Sequence, residues 1–204
     1  QPHNRHSRPA RRRDRPAVAV LAYRSIKPTG MIIVETERLI LRRFHVFDGE
    51  AMCGVFGDEE VMRFGPGVQT QGWVRDWLRG CLEDYYQKLG FGPWAVVEKG
   101  GRAVIGYCGL FYFPDVAGRP EIEVGYRLSR PFWGRGYATE AVVAVRDYGF
   151  GVLCLPRLIA LIDPQNVASV RVAEKAGMRY EREVMLEGYS HPDHVYSVAN
   201  PARG

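Results

Sequence analysis

One stretch decides the interpretation of this chain: residues 133–141, Trp133-Gly134-Arg135-Gly136-Tyr137-Ala138-Thr139-Glu140-Ala141. It lies between residues 121–128, which have the pattern of a β-strand, and an apolar helical pattern over residues 141–150. Two glycines allow a sharp turn from strand to helix, and the first N–H groups of a helix have no partner within it. Because the helix dipole adds positive charge there, the sequence predicts a phosphate-bearing cofactor at this turn.

The same turn has other interpretations. A Rossmann fingerprint needs a third glycine near Thr139, and a P-loop needs Gly-Lys-Ser/Thr at the end of a longer loop; the chain has neither. What remains is a short Gly-x-Gly-x-Ala turn, which is best interpreted as a cradle for a pyrophosphate. The alternative is a tight turn whose glycines only permit the bend, since such turns are common between elements.

Charge is distributed unevenly along the 204 residues, a length that suits one domain better than two. Residues 1–30 carry eight Lys or Arg against one acid, a net charge of +7, while the remainder carries 20 basic and 22 acidic residues, a net of −2. The basic pI of the whole chain therefore says nothing about the ligand of the globular part.

Residues 1–30 have no apolar period and include four prolines, so we expect a disordered basic extension followed by one domain over residues 31–204. Met31 begins a strand pattern, which suggests that it is the natural start and that the preceding segment is an artefact of start-site assignment or a cloning remnant. Two alternatives are an organelle transit peptide and a basic arm that binds RNA or the ribosome. Apart from such an arm, we expect no nucleic-acid partner.

The four cysteines, Cys53, Cys81, Cys108 and Cys154, show no Cys-x-x-Cys spacing. We expect small buried side chains in a reducing cytoplasm, with no disulfide and no zinc or other metal site. No apolar run is long enough to cross a bilayer. These observations predict a cytoplasmic protein without a membrane partner.

Periodicity predicts the order of the elements. Strands are predicted over residues 37–44, 91–98, 103–113, 121–128 and 157–162, with two short strands at the C-terminus. Helices are predicted over residues 48–56 and 70–89, from the glycine turn to about residue 150, and over residues 166–176. Early meandering strands would be antiparallel, and the strand–helix–strand unit over residues 121–162 would be a parallel crossover. The sequence thus predicts an α/β fold whose mixed, mostly antiparallel central sheet has helices on both faces.

Four segments of the sequence resemble the GNAT family of N-acetyltransferases, and in particular its ribosomal-protein-alanine acetyltransferase-like branch. They are Glu35-Thr36-Glu37-Arg38-Leu39-Ile40-Leu41-Arg42, Glu123-Val124-Gly125-Tyr126, the stretch over 133–141, and Asn166-Val167-Ala168-Ser169 leading to Glu174-Lys175-Ala176-Gly177-Met178. The resemblance covers residues 35–197. One departure is Trp133, where the family's phosphate motif usually opens with Arg or Gln.

The resemblance implies that acetyl-CoA is the co-substrate. Backbone N–H groups of Gly134, Arg135, Gly136, Tyr137, Ala138 and Thr139 would hold its pyrophosphate. The end of the preceding strand, from Tyr126 to Leu128, would pair with the pantetheine amides, and Arg130 or Arg135 would meet the 3′-phosphate. Asn166 is in the position of a helix N-cap, and the resemblance adds a contact with the pantetheine arm.

Acetyl transfer to an amine needs a base for the amine and an acid for the leaving thiolate. Glu123 lies on the strand before the turn and is the candidate base, with Glu121 on the same face; alternatively Glu123 is a strand carboxylate paired with Arg127 or Arg102. His191 and His194 are rival bases. By resemblance Ser169 is the candidate acid, although it is otherwise an ordinary helix serine, and Ala173 occupies the position of a tyrosine used in other branches.

The acceptor would be a primary amine, either a protein N-terminus or a small molecule. Residues 63–67 and helix 70–89 would wall its side of the site, while Trp73, Trp77, Tyr85 and Tyr86 fit core packing better than a substrate cage. The expected reaction is direct transfer from acetyl-CoA within a ternary complex. A catalytically silent acyl-CoA-binding sensor is the alternative, and a homodimer is possible by analogy with relatives.

Overall fold

The structure is a computed structural model that describes residues 32–187 and 190–203. The predicted basic extension over residues 1–30 and the predicted start at Met31 lie outside this part of the chain. Strands are β1 Ile32–Glu35, β2 Leu39–Arg42, β3 Pro93–Glu98, β4 Ala103–Phe113, β5 Glu121–Leu128, β6 Arg157–Ile162, β7 Arg179–Val184 and β8 Asp193–Ala199. They form one sheet in the order β1-β2-β3-β4-β5-β6-β8-β7.

Neighbouring strands of this sheet are antiparallel, apart from β5 and β6, which pair in parallel. The helix between β5 and β6 makes this arrangement possible, because parallel neighbours need a long crossover connection. The predicted mixed, mostly antiparallel sheet is therefore confirmed, including the position of its parallel pair.

Helices cover both faces of the sheet, as predicted. They are α1 Gly49–Phe56, α2 Glu59–Met62, α3 Gln71–Gly80, α4 Tyr137–Gly151 and α5 Val167–Lys175, and α3 continues into a π-helical stretch, Cys81–Leu89. Tyr107 and Leu110 lie three residues apart on β4 and so face opposite ways. The Tyr107 ring contacts Phe56 and Trp77, with centroids 5.7 and 5.3 Å away, whereas Leu110 lies against Gly149 of α4.

The predicted strand over residues 37–44 is wrong in its extent, because the chain forms a hairpin of β1 and β2 at this place. Thr36 closes the turn between them: its Oγ1 accepts a hydrogen bond of 3.0 Å from the backbone N–H of Leu39. A side chain that bonds its own turn competes with continuous strand pairing, which the period-2 pattern of the sequence does not reveal.

Asp48 lies at the start of α1, but its carboxylate does not cap that helix. It accepts two hydrogen bonds of 2.8 Å from the Arg42 guanidinium and one of 2.7 Å from the backbone N–H of His45. Burial alone would raise the pKa of Asp48, but these hydrogen bonds outweigh it and lower the pKa. The residue thus joins β2 to the turn before α1.

The aromatic residues of the long helix pack into the core, as predicted. Trp77 and Tyr86 are buried, and Trp73 and Tyr85 are half-buried against the same cluster. The prediction for the cysteines is wrong at one position: Cys81 and Cys108 are buried and Cys53 is half-buried, but Cys154 is exposed. It lies in the turn after α4 with a φ of 53°, a left-handed conformation that is uncommon away from glycine.

The sheet opens between β5 and β6. β4 and β5 are paired along the whole of β5, from Glu121 to Leu128, whereas β5 pairs with β6 at Glu123 and Ile159. Beyond this pair the two strands diverge, so no strand in the described part of the chain pairs with the facing edge of β5 towards Leu128. Unpaired strand edges readily accept an added strand, and the opening adjoins the glycine turn before α4.

Candidate functional site

A cavity of about 630 Å³ occupies the opening between β5 and β6. Its walls are the end of β5, the end of β6, the glycine turn with the start of α4, the inner side of α5, and the chain around α2. A volume of this size falls within the usual range for sites of small ligands. Ten of the eleven side chains and backbone segments predicted for the site line this cavity: Glu123, Tyr126, Leu128, Gly134, Gly136, Tyr137, Ala138, Thr139, Asn166 and Ser169.

The glycine turn has the conformation that its sequence suggested. Gly134 and Gly136 have φ angles of 72° and 81°, in the left-handed region that favours glycine. Gly136 is the N-cap of α4, and no described side chain caps the first turn of this helix. The N–H groups of Tyr137, Ala138 and Thr139 therefore stand at the positive end of a 15-residue helix beside the cavity.

An ion-pair network fixes this turn to the hairpin of β1 and β2. Glu140, in the first turn of α4, accepts hydrogen bonds from Thr36 Oγ1 at 2.5 Å, Arg38 N at 3.0 Å and Arg38 Nε at 2.7 Å. Arg38 Nη1 also donates to the carbonyl of Arg135 at 2.8 Å, and its guanidinium lies 4.6 Å from the centre of the Tyr137 ring. The sequence motif around Thr36 thus holds the turn in place.

The cations around the cavity differ from those proposed for the 3′-phosphate. The side chain of Arg135 lies over the ring of Phe132 and is not part of the cavity wall. Arg130 pairs with Asp58 at 2.6 Å, which ties the end of β5 to the start of α2. Two cations that the sequence interpretation missed, Arg171 and Lys175, line the cavity from α5; their i, i+4 spacing places them on one side of that helix.

Tyr126 and Ser169 meet across the cavity. The Tyr126 hydroxyl lies 3.1 Å from Ser169 Oγ. Burial raises the pKa of Tyr126 to about 12, against a smaller opposite effect of the Ser169 hydrogen bond, so the hydroxyl keeps its proton at neutral pH. The sequence interpretation gave Tyr126 only a backbone role. It looked for a tyrosine acid at position 173 on α5 and missed the side chain of Tyr126, which lies on the facing strand.

The two remaining cofactor candidates are held by local hydrogen bonds. Asn166 caps α5 as predicted, since its Oδ1 accepts a hydrogen bond of 3.1 Å from the N–H of Ser169. Leu128 is buried, and its carbonyl accepts a hydrogen bond of 2.6 Å from the indole N–H of Trp133. Trp133, the departure from the family motif, therefore closes the loop that leads from β5 to the glycine turn.

Glu123 is 3% exposed and lies at the point where β5 and β6 separate. Its Oε1 accepts a hydrogen bond of 3.2 Å from the N–H of Leu161, so the carboxylate bridges the two strands at the base of the cavity. The alternative of a strand carboxylate paired with Arg127 or Arg102 stays a prediction.

The other candidate bases are placed less favourably. Glu121 lies at the start of β5, outside the cavity wall, and pairs with Arg119 at 2.7 Å and Arg157 at 3.2 Å. His194 pairs with Glu183 at 3.5 Å on β7, also away from the cavity. His191 Nε2 lies 3.3 Å from Asp163 Oδ2, and Asp163 lines the cavity at the end of β6. His191 therefore contacts Asp163 of the cavity wall and is not itself part of that wall.

Within residues 32–187 and 190–203, no group of three or more His, Cys, Asp or Glu side chains is arranged to hold a metal ion. No helix in the described part of the chain combines the length and apolar composition needed to cross a membrane.

Comparison with known proteins identifies the family. The family model described as an acetyltransferase (GNAT) domain matches residues 38–179. The chain belongs to the GNAT family. The uncharacterized N-acetyltransferase p20 of Bacillus licheniformis is 32% identical over 157 residues, which are 76% of this chain and 85% of that protein. A GNAT-family acetyltransferase from Bacillus anthracis superposes with a TM-score of 0.70 and 28% identity, covering 83% of this chain and 99% of its own.

A second GNAT structure shows the fold alone. Spermidine N-acetyltransferase from Vibrio cholerae, solved in complex with CoA and spermine, has a TM-score of 0.65 and 16% identity, and the match covers 81% of this chain and 97% of that one. Together with the family match, the relatives confirm the prediction of an acetyltransferase enzyme. They do not single out the ribosomal-protein-alanine branch, which stays a prediction.

Proposed function

We propose that this GNAT enzyme transfers an acetyl group from acetyl-CoA directly to a primary amine while both are bound. The observation that carries the proposal is the continuity of the cavity: one space joins the uncapped start of α4 to the carboxylate of Glu123 and the hydroxyls of Tyr126 and Ser169. The branch, a cytoplasmic location and a homodimer stay predictions.

The residues present fit coenzyme A in three respects. The N–H groups from Gly134 to Thr139 would bind the pyrophosphate, since they combine left-handed glycines with a helix start that no described side chain caps. The facing edge of β5 near Tyr126 and Leu128 would bind the pantetheine amides as an added strand. Arg171 and Lys175 of α5 would bind the 3′-phosphate, because they are the cations that line the helical side.

When bound, acetyl-CoA supplies an acetyl group activated as a thioester. Glu123 accepts a proton from the acceptor amine, because it is the buried carboxylate at the base of the cavity. The hydroxyl pair of Tyr126 and Ser169 holds a proton ready for the leaving sulfur, and the raised pKa of Tyr126 keeps that proton in place at neutral pH. Much of the rate would come from holding amine and thioester together.

A substitution at Gly136 tests where the phosphates bind. Glutamate there places a side chain and a negative charge at the helix start, and we expect CoA affinity to fall by about 100-fold or more. The measurement is CoA binding by calorimetry. The matched control is Gly118→Glu, which introduces the same residue at another left-handed glycine, with a φ of 92°, open space around it and no part in the cavity wall.

Both variants place a side chain at a left-handed glycine, with φ angles of 81° and 92°, so comparable thermal midpoints would show that the fold is retained. Equal CoA affinity of Gly136→Glu and Gly118→Glu would mean that the phosphates bind elsewhere. Release of free thiol with a panel of amines tests the transfer itself. Saturable CoA binding without turnover on any amine would favour the silent sensor instead.

A further inference from the structure

Arg127 is a charged residue of the cavity that the transfer of the acetyl group does not use. It follows Glu123 by four residues on β5, so both side chains leave the same face of the strand. The guanidinium is half-buried and lines the same cavity. Its Nη1 donates a hydrogen bond to the sulfur of Met62 at 3.5 Å.

Packing rather than charge holds this guanidinium in place. It lies beneath Gly65, in the loop after α2, where an added Cβ would come within 2.4 Å of Nη2 and 3.0 Å of Nη1. Its Nε is buried, and no described residue accepts a hydrogen bond from it. Burying part of a charge without an acceptor is unfavourable, so an anion that enters the cavity would gain interactions that the folded chain itself does not supply.

The exposed charges nearby do not neutralise Arg127. Arg63 and Glu60 also line the cavity here, but both are exposed and 3.9 Å apart, and so nearly cancel. Tyr107 pairs with Arg127 across β4 and β5. Burial raises the pKa of Tyr107, while the charge of Arg127 lowers that pKa and the charge of Glu123 raises it further. The charges of Arg127 and Glu123 therefore both act on the part of the cavity beside Tyr107.

We infer that the acceptor amine also carries an oxyanion, a carboxylate or a phosphate, which Arg127 binds while Glu123 accepts the proton of the amine. The inference rests on the proposed transfer and specifies its substrate class. A guanidinium suits this task, since its planar fork can donate two parallel hydrogen bonds to a carboxylate or phosphate. The Cα atoms of the two residues are separated by about 13 Å along the strand, which leaves room for a short aminoalkyl acid between the side chains.

Matched acceptors test the inference. Turnover is measured with acetyl-CoA and 4-aminobutyrate, 3-aminopropylphosphonate, butylamine and putrescine, which share a primary amine and differ at the far end. We expect kcat/KM for at least one of the two acids to exceed that for butylamine and putrescine by 10-fold or more. A comparison of the two acids shows whether the site prefers a carboxylate or a phosphate-like group.

Substitution of Arg127 ties any preference to this residue. Arg127→Gln is expected to raise KM for the acids at least 10-fold, to leave kcat within about 2-fold and to remove the preference over butylamine, while Arg127→Lys retains part of it. The control is Arg75→Gln, which removes the same charge from a side chain on α3 that is 80% exposed and outside the cavity wall. Unchanged CoA affinity would show that Arg127→Gln keeps the fold.

Binding separates this inference from the transfer itself. Calorimetry measures 4-aminobutyrate and 3-aminopropylphosphonate against the protein saturated with CoA. Arg127-dependent binding without turnover would uphold the inference and contradict the transfer. Turnover with equal or greater preference for butylamine or putrescine, or a preference that Arg127→Gln leaves intact, would overturn the inference and uphold the transfer. Absence of both turnover and binding would overturn both.

Discussion

Replacing Glu140 by Gln removes the charge that joins the glycine turn to the first hairpin. In the native protein its carboxylate accepts from Thr36 Oγ1 and from the backbone and side chain of Arg38, at 2.5 to 3.0 Å. A glutamine keeps the shape and can still accept from Thr36 and from the N–H of Arg38, but its amide nitrogen cannot accept from the guanidinium. The substitution therefore isolates the charge-assisted part of the network.

The expected magnitude follows from the exposure of the pair. A hydrogen bond to a charged group contributes about 1.5–3 kcal/mol when buried. The side chains of Arg38 and Glu140 are 42% and 18% exposed, so solvent screens the pair and the value must be discounted. We expect a loss of about 1–2 kcal/mol, which lowers the thermal midpoint by about 2–8 °C for a chain of this size. CoA affinity is expected to fall as well, because Arg38 also bonds the carbonyl of Arg135 in the turn.

The assay is thermal unfolding against Glu37→Gln, the same substitution at an exposed residue next to Arg38. That control should change the free energy of unfolding by no more than about 0.5 kcal/mol. The pH dependence has a definite sign. Burial alone would raise the pKa of Glu140, but hydrogen bonds from Thr36 and Arg38 outweigh it and lower the pKa. The stabilisation is thus complete above the unfolded pKa of about 4.3 and is lost as pH falls through the lower, folded pKa.

Wild type and Glu140→Gln should therefore differ by a constant amount near neutral pH and converge in acid. Equal midpoints for Glu140→Gln and Glu37→Gln at neutral pH would refute the reasoning, as would a difference that grows as the pH falls.

Two predictions concern the chemistry. Glu123→Gln should lower turnover by about 100-fold, with partial recovery at high pH where more of the amine is already neutral; a flat result would assign the base elsewhere. Tyr126→Phe and Ser169→Ala should each lower kcat by about 10-fold or more, and the double variant should lose no more than the worse single one, because the two hydroxyls act as one pair. Multiplicative losses in steady-state rates would contradict a shared role.

Local sequence patterns predicted the parts of this protein that depend on neighbouring residues. Gly134 and Gly136 have the left-handed conformation expected of a tight turn before a helix, and Asn166 caps its helix. Alternation and crossover length predicted the parallel pairing of β5 with β6 inside an otherwise antiparallel sheet. These features follow from backbone sterics and from the period of apolar residues, both of which are readable over a few residues.

Contacts between distant segments could not be predicted in this way. Thr36 and Glu140 are 104 residues apart, and Tyr126 and Ser169 are 43 apart; only the packed sheet brings each pair together. The partner of Asp48 is a further example, because its carboxylate accepts hydrogen bonds from the Arg42 guanidinium and does not cap the helix that follows. Periodicity assigns a residue to a face, but the partner on that face is set by the tertiary structure.

If coenzyme A binds along β5 as proposed, it completes the hydrogen bonding at the place where β5 diverges from β6. The bound coenzyme would supply the hydrogen-bond donors and acceptors that an additional strand beside β5 would otherwise provide. Its binding would therefore extend the hydrogen bonding of the folded sheet. Any ligand that binds the native chain and not the unfolded one shifts the folding equilibrium by mass action. The enzyme would then be most rigid while it holds its co-substrate and would loosen after each release.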